Sequence, residues 1–231
     1  MNSIPELRLD WCSHEAARYA VENWHCSRCM PCGKVVKIGV WEAGSFIGCV
    51  LFSMGAAPQA HCPYSISNCE ICELTRVALN KHATPVTRVV AIALRLLNKQ
   101  SPGIRLVVSY ADPEQGHDGG IYKGGGWIYV GQTKLCTHYE YISSGKRVHS
   151  KTIATGRRGY AAQLKAKGII RPVKVWKYKY LMPLDAAMRK RIDPLCKPYL
   201  KRVRSVGSDT SAIHAEEGGA TPTRTLLQGD R

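Results

Sequence analysis

The stretch that decides the fold is residues 72–110, which read CELTRVALNKHATPVTRVVAIALRLLNKQSPGIRLVVSY. Its first segment, Cys72–Leu79, is predicted to be a strand. Thr84 followed by Pro85 is typical of a helix start, with Thr84 as the cap and Pro85 at the first position. Ile104–Tyr110 is predicted to be a second strand, and its unbroken apolar centre indicates burial on both faces. A strand, a helix and a strand in this order predict a right-handed crossover and parallel pairing.

Elements on either side of this unit continue the alternation. A helix is expected over Ser13–Asn23 with Ser13 as its cap, and a short helix is expected near His117–Lys123. The helix after Pro85 has one apolar stripe, formed by Val86, Val89, Val90, Ala93, Leu94 and Leu97. Further strands are expected at Leu7–Trp11, Lys34–Trp41, Phe46–Phe52, Trp127–Gln132 and Val173–Leu181. The order β-α-β-β-β-α-β-α-β-β predicts an α/β fold with a mixed central sheet flanked by helices.

Positive charge is concentrated in one part of the chain. The formal net charge is +16, and Gly145–Arg204 holds 18 Lys and Arg against 2 Asp and Glu. The other residues hold 15 basic and 15 acidic side chains, because the totals are 33 and 17. A polyanion is the natural partner of such a block, and a basic surface kept for solubility is the alternative. The residues expected to contact this polyanion are Arg157, Arg158, Lys177, Lys179, Arg189, Lys190 and Arg191.

Neither a secretory leader nor a membrane span is expected. Met1–Asp10 has no apolar core, and the longest apolar run, Val89–Leu94, is too short to cross a bilayer. We therefore expect a cytoplasmic or nucleoid-associated protein whose ten cysteines are mostly reduced. The spacings Cys26-x-x-Cys29-x-x-Cys32 and Cys69-x-x-Cys72 fit a zinc site or free thiols. Metal binding is left open.

The predicted order of elements resembles the GNAT acyltransferase core, a mixed sheet with a central V-shaped split where acyl-CoA and acceptor meet. A sharper resemblance lies in residues 109–131, which read SYADPEQGHDGGIYKGGGWIYVG. This stretch, with ELTRVAL at 73–79 and MPCGK at 30–34, resembles the Mom-type DNA modification proteins of phages, and the likeness extends over roughly Ala16–Leu200. The resemblance implies conversion of adenine N6 in duplex DNA to a carbamoylmethyl derivative, which shields phage DNA from restriction enzymes in the host cytoplasm.

The resemblance also implies a donor side and a division of the chain. In GNAT enzymes the split strand binds the pantetheine arm, and the next loop and helix start bind the pyrophosphate through backbone amides. The corresponding residues here are Glu73, Thr75, Arg76, Val77, Lys81, Thr84, Thr87 and Arg88, and the donor is acetyl-CoA or another activated molecule. The usual Gly-rich phosphate loop is absent from Asn80–Arg88. The expected division is a GNAT-like core over 1–144, a basic DNA-binding extension with a last strand over 145–204, and a disordered tail over 205–231.

Candidate reacting groups cluster after the second strand of the central unit. Ser109–Asp112 lies at its carboxyl end, where open α/β sheets place chemistry. Asp112 is a candidate to orient or deprotonate the adenine amine, and a turn aspartate bonded to its own backbone is the alternative. His25 and His117 are acid or base candidates or structural histidines. Tyr122 is a further candidate, for base stacking or for the donor site.

Three classes of function stay open at this point. The first is a DNA adenine N6 transferase, whose partners are duplex DNA and a small-molecule donor. The second is a conventional acetyl-CoA-dependent GNAT acetyltransferase, and the absent phosphate loop argues against it. The third is a non-enzymatic, zinc-dependent DNA-binding protein, supported by the cysteines and the charge. A homo-oligomer is compatible with all three.

Overall fold

The structure is a computed structural model that describes residues 5–31, 33–54, 59–145, 147–149, 153 and 159–199. Arg157, Arg158 and the predicted tail 205–231 lie outside the described residues. The strands are β1 (Leu7–Trp11), β2 (Val35–Glu42), β3 (Ser45–Ser53), β4 (Ile71–Leu79), β5 (Leu106–Ala111), β6 (Ile128–Gln132), β7 (Cys136–Tyr141), β8 (Arg147–His149), β9 (Ile170–Val175) and β10 (Tyr178–Pro183). The helices are α1 (His14–Trp24), α2 (Val86–Gln100), α3 (Gly120–Gly124), α4 (Tyr160–Ala166) and α5 (Ala186–Ile192).

Seven strands form the central sheet, in the order β1-β2-β3-β4-β5-β10-β6. The pairing of β4 with β5 is parallel, and the other described pairs in this sheet are antiparallel. The parallel strand–helix–strand unit predicted from residues 72–110 is therefore confirmed, and so is the mixed α/β fold class. Within the described residues, no helix combines the length and the apolar character needed to span a membrane.

The sheet opens between β4 and β5. The two strands pair only from Ile71–Glu73 to Leu106–Val108. Beyond this point β4 stays with β3, while β5 stays with β10. The register of β3 and β4 shifts there and leaves Thr75 as an extra residue, since Leu51 lies opposite Arg76 and Phe52 opposite Leu74. Such a bulge bends its strand, and this one lies where β4 leaves β5.

Helices cover both faces of the central sheet. The apolar stripe of α2 is buried on one face, with Val89, Ala93 and Leu97 all at most 1% exposed. Each such side chain contributes about 1.5–3 kcal/mol on burial. The opposite face is covered by α1, which packs on β3 and β4, and by α5, which packs on β5 and β10. The split between β4 and β5 is therefore flanked by α2 on one face of the sheet and by α1 on the other face.

The two predicted helix caps have different outcomes. The Ser13 side chain accepts a hydrogen bond from the Ala16 amide at 3.1 Å, which confirms it as the cap of α1. The prediction that Thr84 caps α2 is wrong, because Pro85 occupies that position with an extended backbone. The Thr84 amide instead donates to the Glu42 carboxylate at 2.8 Å. This contact joins residues 42 positions apart, so the local pattern held no sign of it.

A second, three-stranded sheet follows β6, in the order β8-β7-β9. The prediction of a single strand over Val173–Leu181 is wrong. Two strands, β9 and β10, cover this stretch, and they belong to different sheets. Thr133 and Lys177 close the junction, with the Thr133 amide 2.8 Å from the Lys177 carbonyl and the Lys177 amide 3.0 Å from the Thr133 hydroxyl. Tyr178, the first residue of β10, pairs with the last residues of both β5 and β6. The small sheet therefore begins at the edge where β5 ends.

Candidate active site in the sheet split

Ser109 spans the split with its side chain. The residue is 1% exposed. Its hydroxyl donates to the carbonyl of Leu74 at 2.8 Å, and its oxygen lies 2.8 Å from the Tyr122 hydroxyl. A serine has one proton to give and the carbonyl only accepts, so Tyr122 donates to Ser109. Leu74 is the first residue of β4 beyond the paired segment, and the serine therefore replaces a missing ladder bond at the apex of the split.

Tyr122 is held by aromatic neighbours on the α2 side. Its ring stacks on Tyr180 at 4.7 Å and meets Trp127 edge-on at 5.1 Å. Burial raises the pKa of the Tyr122 phenol, so the group is a proton and hydrogen-bond donor at neutral pH. Gly119 permits this packing, because a Cβ there would lie 1.9 Å from the Tyr180 hydroxyl oxygen and its φ is +80°. Any larger residue at position 119 would displace the stack.

Asp112 lies at the mouth of the split, directly after β5. One carboxylate oxygen accepts from the Glu114 amide at 3.1 Å and caps a short 3-10 turn. The other lies 3.3 Å from the Lys177 ammonium. The turn role considered as the alternative is thus present, and a lysine partner is added to it. Lys177, one of the residues expected to contact DNA, lies at this mouth.

His25 faces the same mouth from the end of α1. Burial, and then the positive charges of Arg76, His117 and Lys177, lower the pKa of its imidazole to about 4. Its Nδ1 accepts from the Ser27 amide at 3.0 Å, which places the proton on Nε2. His25 is therefore neutral at pH 7 and offers an N–H group. Both predicted histidines and Arg76 come together here, although they are far apart in sequence.

The α1 side of the site also contains a half-buried lysine. Lys179 lies opposite Tyr110 in the β10–β5 pair, and its ammonium sits 5.2 Å from the centre of the Tyr64 ring. Burial lowers the pKa of Lys179. Burial and then the charge of Glu73 raise the pKa of Tyr110. Lys179 and Glu73, assigned by sequence to DNA and donor, thus lie on the inner wall of the site.

The loop from β4 to α2 contains Lys81 and Thr84, two of the residues predicted to bind the donor. Glu42 accepts from the amides of Ala83 and Thr84, each at 2.8 Å, and Pro85 has no amide hydrogen. Residues 83–85 therefore offer no free amide to the diphosphate of acetyl-CoA. The other predicted donor residues do not lie together. The Thr75 hydroxyl donates to the Leu51 carbonyl, and Val77 packs against the core. Lys81 and Arg88 are exposed, and Thr87 lines a groove of about 290 Å³ between α2, α3 and β10.

An ion network that the sequence did not predict connects the small sheet to this site. Glu140 is 7% exposed. Its oxygens lie 2.9 Å from Arg147 Nε and 3.0 Å from Arg171 Nε. Arg147 also pairs with Glu114, on the turn that Asp112 caps. The single acidic residue within the strand CTHYEY was the available signal, but its partners lie 7 and 31 residues away.

The three basic residues of α5 that were predicted to contact DNA differ in their contacts. Arg189 and Lys190 are exposed. Arg191 is exposed too, but its guanidinium donates to the carbonyls of Ser65 at 2.8 Å and Tyr64 at 3.2 Å. Arg191 therefore holds the loop before β4, and the two exposed neighbours are the ones available to a phosphate backbone.

The cysteines whose spacing fits a zinc site differ in exposure. Cys26, Cys29 and Cys69 are exposed, whereas Cys72 is buried and burial raises its pKa to about 12. Within the described part of the chain, which excludes Cys32, no three His, Cys, Asp or Glu side chains are grouped to hold a metal ion.

A mixed seven-stranded sheet that opens between two parallel strands, with polar side chains gathered at the opening, is the GNAT-like class of α/β fold. Within that class the chain belongs to the Mom protein family, whose model matches residues 6–201. No curated protein matches the chain.

Two solved structures resemble this chain at low sequence identity and low TM-score. FeeM, an N-acyl amino acid synthase from uncultured soil microbes, is 11% identical with a TM-score of 0.45, over 83% of this chain and 96% of its own. The AHL synthase LasI is 11% identical with a TM-score of 0.37, over 85% of this chain and 100% of its own. The function proposed below is based on the family and on the site.

Proposed function

We propose that the protein transfers an activated carbon group to N6 of adenine in duplex DNA, giving the carbamoylmethyl derivative that protects phage DNA from restriction in the host cytoplasm. The observation that carries this proposal is the position of the split. Its mouth lies at Ser109–Asp112, and the small sheet, two of whose three strands come from the basic part of the chain, starts at the same edge. Membership of the Mom protein family supports the same reaction.

The chemistry asks for positioning and for proton transfer. Adenine N6 is a weak nucleophile, because its lone pair is delocalised into the ring. In the proposed step a bond forms between N6 and the donor carbon, the bond from that carbon to its leaving group breaks, and N6 loses one proton. Asp112 accepts that proton, and Lys177 holds the carboxylate in place. The leaving group departs with the electron pair of the broken bond, and the N–H of His25 donates a hydrogen bond to it, while Tyr122 stays protonated and donates to Ser109 at the apex of the split.

The basic part of the chain supplies the grip on DNA. Enzymes that modify a base in a duplex extrude it into a pocket, at a cost of a few kcal/mol. Phosphate contacts by Lys and Arg offset that cost and give no sequence preference by themselves. Arg189 and Lys190 are exposed for this purpose. The Arg147–Glu114 pair ties the small sheet to the turn that Asp112 caps.

Nucleoside analysis tests the proposal directly. DNA from cells that express the protein is digested to nucleosides and examined by mass spectrometry, and a carbamoylmethyl deoxyadenosine is expected. Asp112→Asn should give unmodified DNA. Asp193→Asn is its matched control, since Asp193 is exposed and remote in sequence from the split. Unmodified DNA together with acetyl-CoA turnover on simple amines would point to a conventional acetyltransferase. Unmodified DNA together with bound zinc would point to a DNA-binding protein.

A further inference from the structure

Glu42 holds the entrance to α2 from the end of β2. Its two carboxylate oxygens accept from two successive backbone amides, those of Ala83 and Thr84, both at 2.8 Å. Hydrogen bonds from Thr84 and Ala83 lower the pKa of Glu42, so the group is an anion at neutral pH. The Nδ1–H of His82 donates to the Thr84 carbonyl at 2.9 Å and fixes the same loop. A carboxylate thus binds the two amides that come just before Pro85, the cap of α2.

This arrangement removes the amides that a diphosphate would need. Residues 83 and 84 give their N–H groups to Glu42, and Pro85 has none to give. Three consecutive positions before α2 therefore offer no free donor. A diphosphate that approached them would also meet the negative charge of Glu42 at close range, and like charges repel. A diphosphate can bind the amides of Ala83 and Thr84 only if Glu42 leaves them.

We propose that Glu42 is a built-in anion of the donor site, so that the protein uses an activated donor recognised without a nucleoside diphosphate at the α2 entrance. This inference rests on the proposed function, since it names the class of donor for that reaction. Glu42 acts as a specificity determinant: it orders the loop as a bound phosphate would, and it excludes donors that carry their own diphosphate there.

The test observes the two amides themselves. The full chain is labelled with ¹⁵N-alanine and ¹⁵N-threonine and titrated with inorganic pyrophosphate, and separately with coenzyme A, at physiological salt to screen the basic surface. In the wild-type protein the Ala83 and Thr84 signals should not move. In Glu42→Ala they should move with pyrophosphate, because two charge-assisted hydrogen bonds become available. The apparent Kd should lie at least about tenfold below the highest pyrophosphate concentration that leaves the wild-type signals unmoved.

The control is Glu22→Ala, which removes the same charge from α1. Glu22 lies 3.8 Å from Arg18 and is exposed, away from any backbone amide of the loop. This variant should behave as the wild type. Movement of the two signals in the wild-type protein would overturn the proposal, and so would a Glu42→Ala protein, folded by its other amide signals, whose Ala83 and Thr84 amides ignore pyrophosphate. Because no modified DNA is measured, failure here is separate from failure of the transferase proposal.

Discussion

Replacing Ser109 with alanine should open the apex of the split. The hydroxyl donates to the Leu74 carbonyl and accepts from Tyr122, each at 2.8 Å, and the residue is 1% exposed. The substitution leaves one carbonyl and one phenol without a partner in a buried place. Each unsatisfied group costs about 1–3 kcal/mol, so the free energy of unfolding should fall by about 2–5 kcal/mol. That is a large part of the roughly 5–15 kcal/mol of a typical domain.

Tyr122→Phe separates the two partners. It removes the phenol oxygen while Ser109 still donates to Leu74, so the expected loss is about 1 kcal/mol. In that background Ser109→Ala strands only the Leu74 carbonyl and should cost about 1–3 kcal/mol. The two substitutions are therefore coupled by about 1–2 kcal/mol, which a double-mutant cycle measures.

Urea unfolding, followed by circular dichroism for the four proteins of the cycle, gives these values. The m-value should stay constant, since the same surface is exposed on unfolding. A Ser109→Ala protein within about 0.5 kcal/mol of the wild type would refute the bridge, because that range is typical of neutral surface changes. A coupling energy near zero would show that Tyr122 and Ser109 are not hydrogen-bonded to each other.

Three further predictions concern the reaction, pH and DNA. Asp112→Asn should abolish adenine modification, read by nucleoside mass spectrometry, while DNA binding persists; full activity would remove Asp112 from the mechanism. The pKa of folded His25, about 4, lies below the ordinary 6.5, so the unfolded chain takes up a proton first as pH falls. Stability should therefore drop between pH 6.5 and 4 by about 2–3 kcal/mol, and His25→Asn should lack that part of the slope in unfolding measurements; a parallel profile contradicts this. Arg189→Gln with Lys190→Gln should flatten the salt dependence of DNA affinity by about 1.8 in log–log slope, whereas Arg191→Gln should leave it unchanged; an unaltered slope in the double variant excludes phosphate contact.

The crossover unit was predictable because its signals are local. The apolar stripe of α2 repeats at helical spacing, and a strand–helix–strand unit has one preferred handedness. The cap at Ser13 is likewise a contact within three residues. The resemblance of residues 109–131 then located the mouth of the split, since Asp112 follows directly from the strand that ends there.

What failed depends on contacts between distant residues. Trp176 and Lys177 interrupt a run of strand-forming residues, and nothing local shows that the two halves join different sheets. Thr84 has the sequence of a cap, but the competing carboxylate comes from a strand 42 residues earlier. The contact of Lys177 with Asp112 could not be predicted for the same reason, because a lysine in a basic block gives no sign of an aspartate partner 65 positions away.

The junction at Thr133 and Lys177 makes the small sheet a detachable module. Chain enters and leaves it at two backbone positions that already hydrogen-bond to each other, so a tight turn could join them and leave the parent sheet closed. The module, residues 134–176, could therefore be deleted or exchanged without breaking a strand pair of the central sheet.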